Sequence, residues 1–149
     1  MTEQPTGQQQ YSTQVVGAAI FDSLTDPQVL LVAQRSAPEW AAGLWEFPGG
    51  KVEYGETEQQ ALVREIHEEL GVMVRTGTEI VGPHEQGWEL NEDAAMRVFC
   101  AQIIDGHTPE ALQDHSELRW VDLDRSLLEL DWIPADLKIV EALLEKLGR

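Results

Sequence analysis

The chain has 149 residues, 42% of them hydrophobic, and a formal net charge of −17. That length suits one domain with a real core. The acidity disfavours a nucleic-acid polymer as partner, because phosphate neutralisation by Lys and Arg dominates such binding, and no apolar run approaches the roughly 20 residues of a membrane span. Residues 1–10 are polar and lack a basic stretch followed by an apolar one, so no secretory signal is expected there. The reading is a frayed tail over residues 1–12 and a single domain over 13–149, with the cytoplasm as expected home. Cys100 stands alone in the apolar setting VFCAQII, which excludes a disulfide framework and suits a buried small side chain.

In chain order the periodicity alternates between strand and helix, an α/β (α+β) pattern. Strands are expected over 15–21 and 29–34, with a turn at Thr25-Asp26-Pro27 between them. A loop over 37–43 leads to Trp45-Glu46-Phe47 and a Pro48-Gly49-Gly50 turn. Thr57 with Gln60 three residues on forms a capping box that opens a helix, and Gly71 can close it as the left-handed residue. Beyond it, strands are expected over 72–74, 79–81, 96–104 and 118–121. Residues 105–114 read as a loop with helical possibilities. Pro134 opens a last helix that carries Leu137, Val140, Leu144 and Leu147 at helical spacing. No repeat or linker interrupts the chain.

Within the first helix Glu65, Glu68 and Glu69 stand at i, i+3 and i+4, hence on one face. Ala61, Leu62, Ile66 and Leu70 occupy the adjoining arc and can anchor it in a core. Like charges so placed repel, and a hard divalent cation removes the penalty. An oxygen-only donor set, with no His or Cys, points to Mg²⁺ or Mn²⁺ over zinc. A bare solvated acidic face is the alternative for a lone E-x-x-E-E, but Glu56 and Arg64 stand in register with the glycine loop.

The stretch GKVEYGETEQQALVREIHEELGV, from Gly50 on, resembles the box of the Nudix family, G-x5-E-x7-R-E-U-x-E-E-x-G-U with U aliphatic, without a departure. The flanking WEFPGGKVEYGET resembles the MutT-type branch. The resemblance implies an α-β-α sandwich with a mixed sheet and the box as loop-helix-loop. It implies Mg²⁺-dependent hydrolysis, with Mn²⁺ as the substitute ion, in which water attacks a nucleoside triphosphate and yields the monophosphate and pyrophosphate. Glu68 and Glu69 would be metal ligands, Glu65 a ligand or the base, and the Gly49 carbonyl a further ligand. Glu56 would support the loop or bind an outer metal, and Arg64 would hold a box carboxylate. The partner is a nucleotide, and the assembly a monomer or homodimer.

Outside the box several residues carry two readings. Lys51 either meets a phosphate or is a solvated lysine. Arg35 corresponds to an arginine that contacts the nucleotide in MutT-type enzymes, against a surface ion pair. Asp114 either faces the metals from a late loop or is a solvated aspartate. His115 beside it reads as a surface histidine rather than a general base. The stretch LDWIPADLKIV resembles the segment that reads the base in MutT-type enzymes, and its W-x-P-A-D resembles the branch acting on CTP, dCTP and their 5-methyl forms. Asp136 would then accept from the cytosine N4 amine, because a carboxylate only accepts. The alternatives are a helix-dipole role for Asp136 and an oxidised-guanine substrate. Phe47 and Trp132 either stack on a base or fill the core.

Overall fold

The structure, a computed structural model, describes residues 10–149. Most of the expected tail lies outside those residues. Its described part is tied down, since the Tyr11 amide donates to Gln86 Oε1 at 2.9 Å. Eight strands and two helices follow: β1 (Thr13–Phe21), β2 (Val29–Arg35), β3 (Trp45–Glu46), β4 (Gly49–Lys51), α1 (Glu58–Leu70), β5 (Val74–Ile80), β6 (Trp88–Glu89), β7 (Ala94–Ile103), β8 (His115–Asp122) and α2 (Pro134–Lys146). Short 3-10 turns cover Glu39–Ala41 and Arg125–Glu129. Among the described residues no helix is long and apolar enough to cross a membrane.

All eight strands join one mixed sheet, with the order β3-β2-β1-β7-β5. In addition β4 pairs with β1, β6 with β7 and β8 with β2. Central β1 runs parallel to β7 and antiparallel to β2 and β4. Its side chains alternate between two cores, as a strand covered on both faces must. Val16, Ala18 and Ile20 pack with Leu62, Ile66 and Leu70 of α1. Ala19 and Phe21 join the opposite core with Ile139, Val140, Leu143 and Leu144 of α2. One helix therefore covers each face of the sheet, the expected sandwich.

Local signals placed α1 well. The Thr57 hydroxyl accepts from the Gln60 amide while the Gln60 side chain accepts from the Thr57 amide. At the other end Gly71 takes φ 72°, the left-handed cap.

Four expectations need correction. Residues 48–50 are not simply a turn, because Gly49–Lys51 forms β4 beside β1. A Cβ on Gly49 would stand 1.9 Å from the Val16 carbonyl oxygen, so only glycine lets the two backbones approach. Gly49→Ala is expected to cost about 1–3 kcal/mol as forced repacking. The check is a lowered urea midpoint, and an unchanged one would show that β4 and β1 do not meet this closely.

The second correction is that the two short strands expected around 72–81 are one, β5, with an irregularity between Thr76 and Glu79 that absorbs the turn-like Gly77. Third, residues 105–114 are the expected loop but hold no helix. Their amides instead serve the end of α1, Glu110 donating to the Leu70 carbonyl at 2.9 Å and Leu112 to that of Glu69 at 3.0 Å. A helix leaves its last carbonyls without internal partners, and this loop supplies them. Fourth, α2 buries Ile139, Val140, Leu143 and Leu144 and leaves Leu137 exposed, so its apolar stripe is rotated from the expected one.

Candidate active site

Arg64 ties the glycine loop to α1. Its guanidinium grips Glu56 with two bonds, Nε to Oε2 at 2.7 Å and Nη2 to Oε1 at 2.9 Å. Nη1 donates to Glu65 Oε1 at 2.8 Å, and Nη2 to the Lys51 carbonyl at 3.1 Å. The bonds from Arg64, aided by the Glu53 amide, hold the Glu56 carboxyl down at about 2. Glu56 thus stays ionised and keeps its hold on the arginine. Glu65 in turn presses on the loop, where a Cβ on Gly50 would stand 2.3 Å from its carboxylate.

Deeper on the same face lies Glu69, buried among acids. Burial first, then the charges of Glu46 and Glu65, push its carboxyl far above the usual carboxylate range. Its Oε2 has no hydrogen-bond partner. His115 Nε2 lies 2.7 Å from Glu46 Oε2, and its Nδ1 lies 3.7 Å from Glu69 Oε2. Glu46, Glu69 and His115 each place a ligating atom within 4.8 Å of the others. A crowded acidic face with an unpartnered buried oxygen suits a divalent cation, which would cancel the repulsion.

A cleft of about 250 Å³ opens beside this cluster, lined by Arg35, Glu46, Phe47, Gly49 and Asp136, with Trp40 at its mouth. Asp136 is buried, yet its Oδ2 accepts from the Phe47 amide at 3.0 Å. Burial outweighs that bond and lifts the Asp136 carboxyl to about 7. Asp136 also lines the cleft. Arg35 is fixed against the wall, Nε donating to the Ala37 carbonyl at 2.8 Å and Nη1 to Glu46 Oε2 at 3.2 Å.

The NUDIX domain profile matches residues 12–143. The chain belongs to the Nudix family. This Nudix protein is 41% identical over 129 residues to a Mycobacterium tuberculosis H37Rv protein provisionally named 8-oxo-dGTP diphosphatase 2, covering 82% of this chain and 81% of that one. It is 37% identical over 115 residues to the CTP pyrophosphohydrolase of Escherichia coli K12, covering 77% and 82%. Its fold is similar to the solution structure of the Escherichia coli ORF135 protein, with TM-score 0.72, 32% identity and coverage of 95% and 94%. The protein is a Nudix hydrolase acting on pyrophosphate bonds of nucleotides, a class that generally needs a divalent metal.

Within the Nudix site the structure brings Glu65, Glu68, Glu69 and Arg64 together on α1 and lines the cleft with Arg35, Phe47, Gly49 and Asp136. Asp114 sits at the rim, largely exposed, with Oδ2 3.8 Å from Arg35 Nη2. Lys51 is exposed on β4 and lies outside the cleft wall; its carbonyl, not its ammonium, enters the box network. Phe47 stacks on Trp132 with ring centroids 5.4 Å apart, both rings buried. The expectation of a surface His115 is overturned, since only 6% of the residue is exposed. Its partners lie on β3 and α1, far away in sequence, which no local pattern reports. Glu46 escaped notice for the same reason. The one signal was a lone charge between two aromatic residues, Trp45 and Phe47.

Proposed function

We propose that the chain is a Mg²⁺-dependent nucleoside triphosphate pyrophosphohydrolase that acts on CTP, dCTP or their 5-methyl forms and releases the monophosphate and pyrophosphate. The observation that carries the base assignment is Asp136, a buried acid that lines the cleft and whose Oδ2 accepts from the Phe47 amide; its other oxygen would meet the base. An ionised carboxylate accepts from the cytosine N4 amine and has nothing to offer the uracil O4. The name of the Escherichia coli relative points the same way.

The bound cation would neutralise charge on the phosphates and promote ionisation of the attacking water. Glu69 and Glu68 would hold it, with the Gly49 carbonyl, and Glu65 would serve as ligand or base. Arg64 keeps Glu56 and Glu65 in register, so the face is shaped before substrate arrives. Arg35 lines the cleft and would meet the nucleotide there, and Asp114 stands at its rim. Water oxygen bonds to phosphorus as the anhydride P–O bond breaks and pyrophosphate leaves, the water's proton passing to a carboxylate.

An oxidised-guanine substrate is the second reading, favoured by the name of the Mycobacterium tuberculosis relative. Asp136 could accept from guanine N1 and N2 just as it accepts from cytosine. A non-catalytic nucleotide-binding module is the third, and the complete set of box glutamates speaks against it. The test is a screen of nucleoside triphosphates, oxidised dGTP and diphosphate-linked sugars with Mg²⁺ and a pyrophosphate readout. Cytidine triphosphates are expected to rank first, with activity lost on chelation and restored by Mg²⁺. A higher kcat/KM for oxidised dGTP would transfer the assignment to the second reading, and no turnover of any nucleotide would transfer it to the third.

A further inference from the structure

We propose that His115 is a positioning residue, which links the cleft carboxylate Glu46 to Glu69 and thereby fixes the orientation of Glu69 toward the metal. The inference rests on the reading of the box glutamates as the metal site. His115 is the side chain that touches both acids, at 2.7 Å through Nε2 and 3.7 Å through Nδ1. Its ring is 1% exposed, so it acts through those carboxylates and not on solvent water. Nδ1 and Glu69 Oε2 are the buried side-chain atoms without a hydrogen-bond partner among the described residues, and they face each other. Buried polar atoms left unpaired are uncommon and call for a reason. A carboxylate that must turn between a resting contact and a cation gives one.

The backbone is shaped to deliver this side chain. β8 pairs Glu117 with Gln34 and then His115 with Arg35, so Ser116 is the extra residue of a bulge. Strand faces alternate, so in an unbroken register Ser116 would oppose Arg35 and His115 would have another partner. Just before it, Gln113 holds φ 51°, an unfavourable left-handed conformation for a side-chain-bearing residue. Two irregularities flanking His115, at the edge of the site, aim that one histidine between two acids. Such departures tend to concentrate at functional sites.

The link also reaches the cleft. Glu46 Oε2 accepts from Arg35 Nη1 at 3.2 Å as well as contacting His115, so a continuous run of polar contacts leads from Arg35 through Glu46 to the histidine and Glu69. On the other side the Leu112 amide, three residues before His115, holds the Glu69 carbonyl. Glu69 is therefore set by its backbone and by the histidine together, and a change at His115 frees only its carboxylate.

The experiment compares wild type, His115→Gln and His115→Asn in the full chain, by Mn²⁺ affinity without nucleotide and by kcat and KM. Glutamine can keep the contact to Glu46 and loses the one to Glu69; asparagine does the reverse. Removing the outer partner of a metal ligand typically costs 10- to 100-fold, so His115→Gln is expected to lose about that much in Mn²⁺ affinity and kcat with nucleotide KM little changed. His115→Asn is expected to retain most of the Mn²⁺ affinity. Wild-type Mn²⁺ affinity in His115→Gln, or equal losses in both variants, overturns the proposal. If neither variant folds, the ring ¹⁵N shifts of His115 in wild type decide: they are expected to move on Mg²⁺ saturation, and unmoved shifts overturn it. A wild type that binds no Mn²⁺ overturns the underlying metal reading as well.

Discussion

Glu69→Gln is expected to fold and yet turn over at least about 100-fold more slowly than wild type, because a lost ligand removes transition-state charge stabilisation of several kcal/mol. The substitution keeps shape and removes a charge that the metal-free site holds poorly. Burial and the neighbouring Glu46 and Glu65 raise the Glu69 carboxyl above its ordinary 4.5. A folded value above the unfolded one means that the group's contribution to stability is present below pH 4.5 and fades as pH climbs beyond it. Metal-free wild type should thus lose stability relative to Glu69→Gln between pH 5 and pH 8. Mg²⁺ should restore it in wild type by taking the proton's place, and much less in the variant. Thermal melts of both proteins at both pH values, with and without Mg²⁺, check this. Wild-type kcat in a folded Glu69→Gln sample would end the metal assignment.

Asp136→Asn is expected to collapse the preference for CTP over UTP. If the carboxylate takes the cytosine N4 amine, uracil leaves two acceptors facing each other. That costs about 1–3 kcal/mol, roughly 5- to 150-fold in kcat/KM. The amide can turn its NH₂ toward uracil O4 while its oxygen still accepts from Phe47, so the bond at 3.0 Å survives. Asp136→Ala would lose both functions and mix a stability defect with a change of specificity, which makes asparagine the cleaner variant. The raised carboxyl value adds a second signature. With the folded value near 7 and the unfolded one at 3.8, the stability that Asp136 contributes is full below pH 3.8 and gone above about 7. Asp136→Asn should flatten that part of the stability profile. In wild type the CTP-to-UTP ratio in kcat/KM should widen as pH rises through about 7, because the protonated acid can still donate to O4. An unchanged ratio in the variant and a flat ratio across pH would remove Asp136 from base recognition.

The elements legible in the chain were those whose causes lie within a few residues. The capping box of Thr57 and Gln60, the left-handed Gly71 and the spacing of Glu65, Glu68 and Glu69 are all interactions along one helix. Each is encoded by a period of three or four residues, so reading along the sequence finds it. The glycines before the helix were legible as special, but not as a strand. What requires Gly49 is the Val16 carbonyl on another strand.

Beyond that range the tertiary structure decided. Glu46 and His115 are 69 positions apart, and Phe47 and Asp136 are 89 apart. Their meeting depends on β3 pairing with β2, on β8 pairing with β2 across a bulge, and on α2 packing beneath Phe47. None of these leaves a periodic trace, because side-chain period records which face of an element is buried and not which element covers it. The sequence by itself determined the family, the helix that carries the acids and the chemistry they suit. Tertiary structure alone decided that His115 is buried between two carboxylates and that Asp136 is buried at the cleft, bonded to the Phe47 backbone. Burial is a property of the assembled layers, and it converts ordinary surface residue types into groups with shifted protonation and fixed partners.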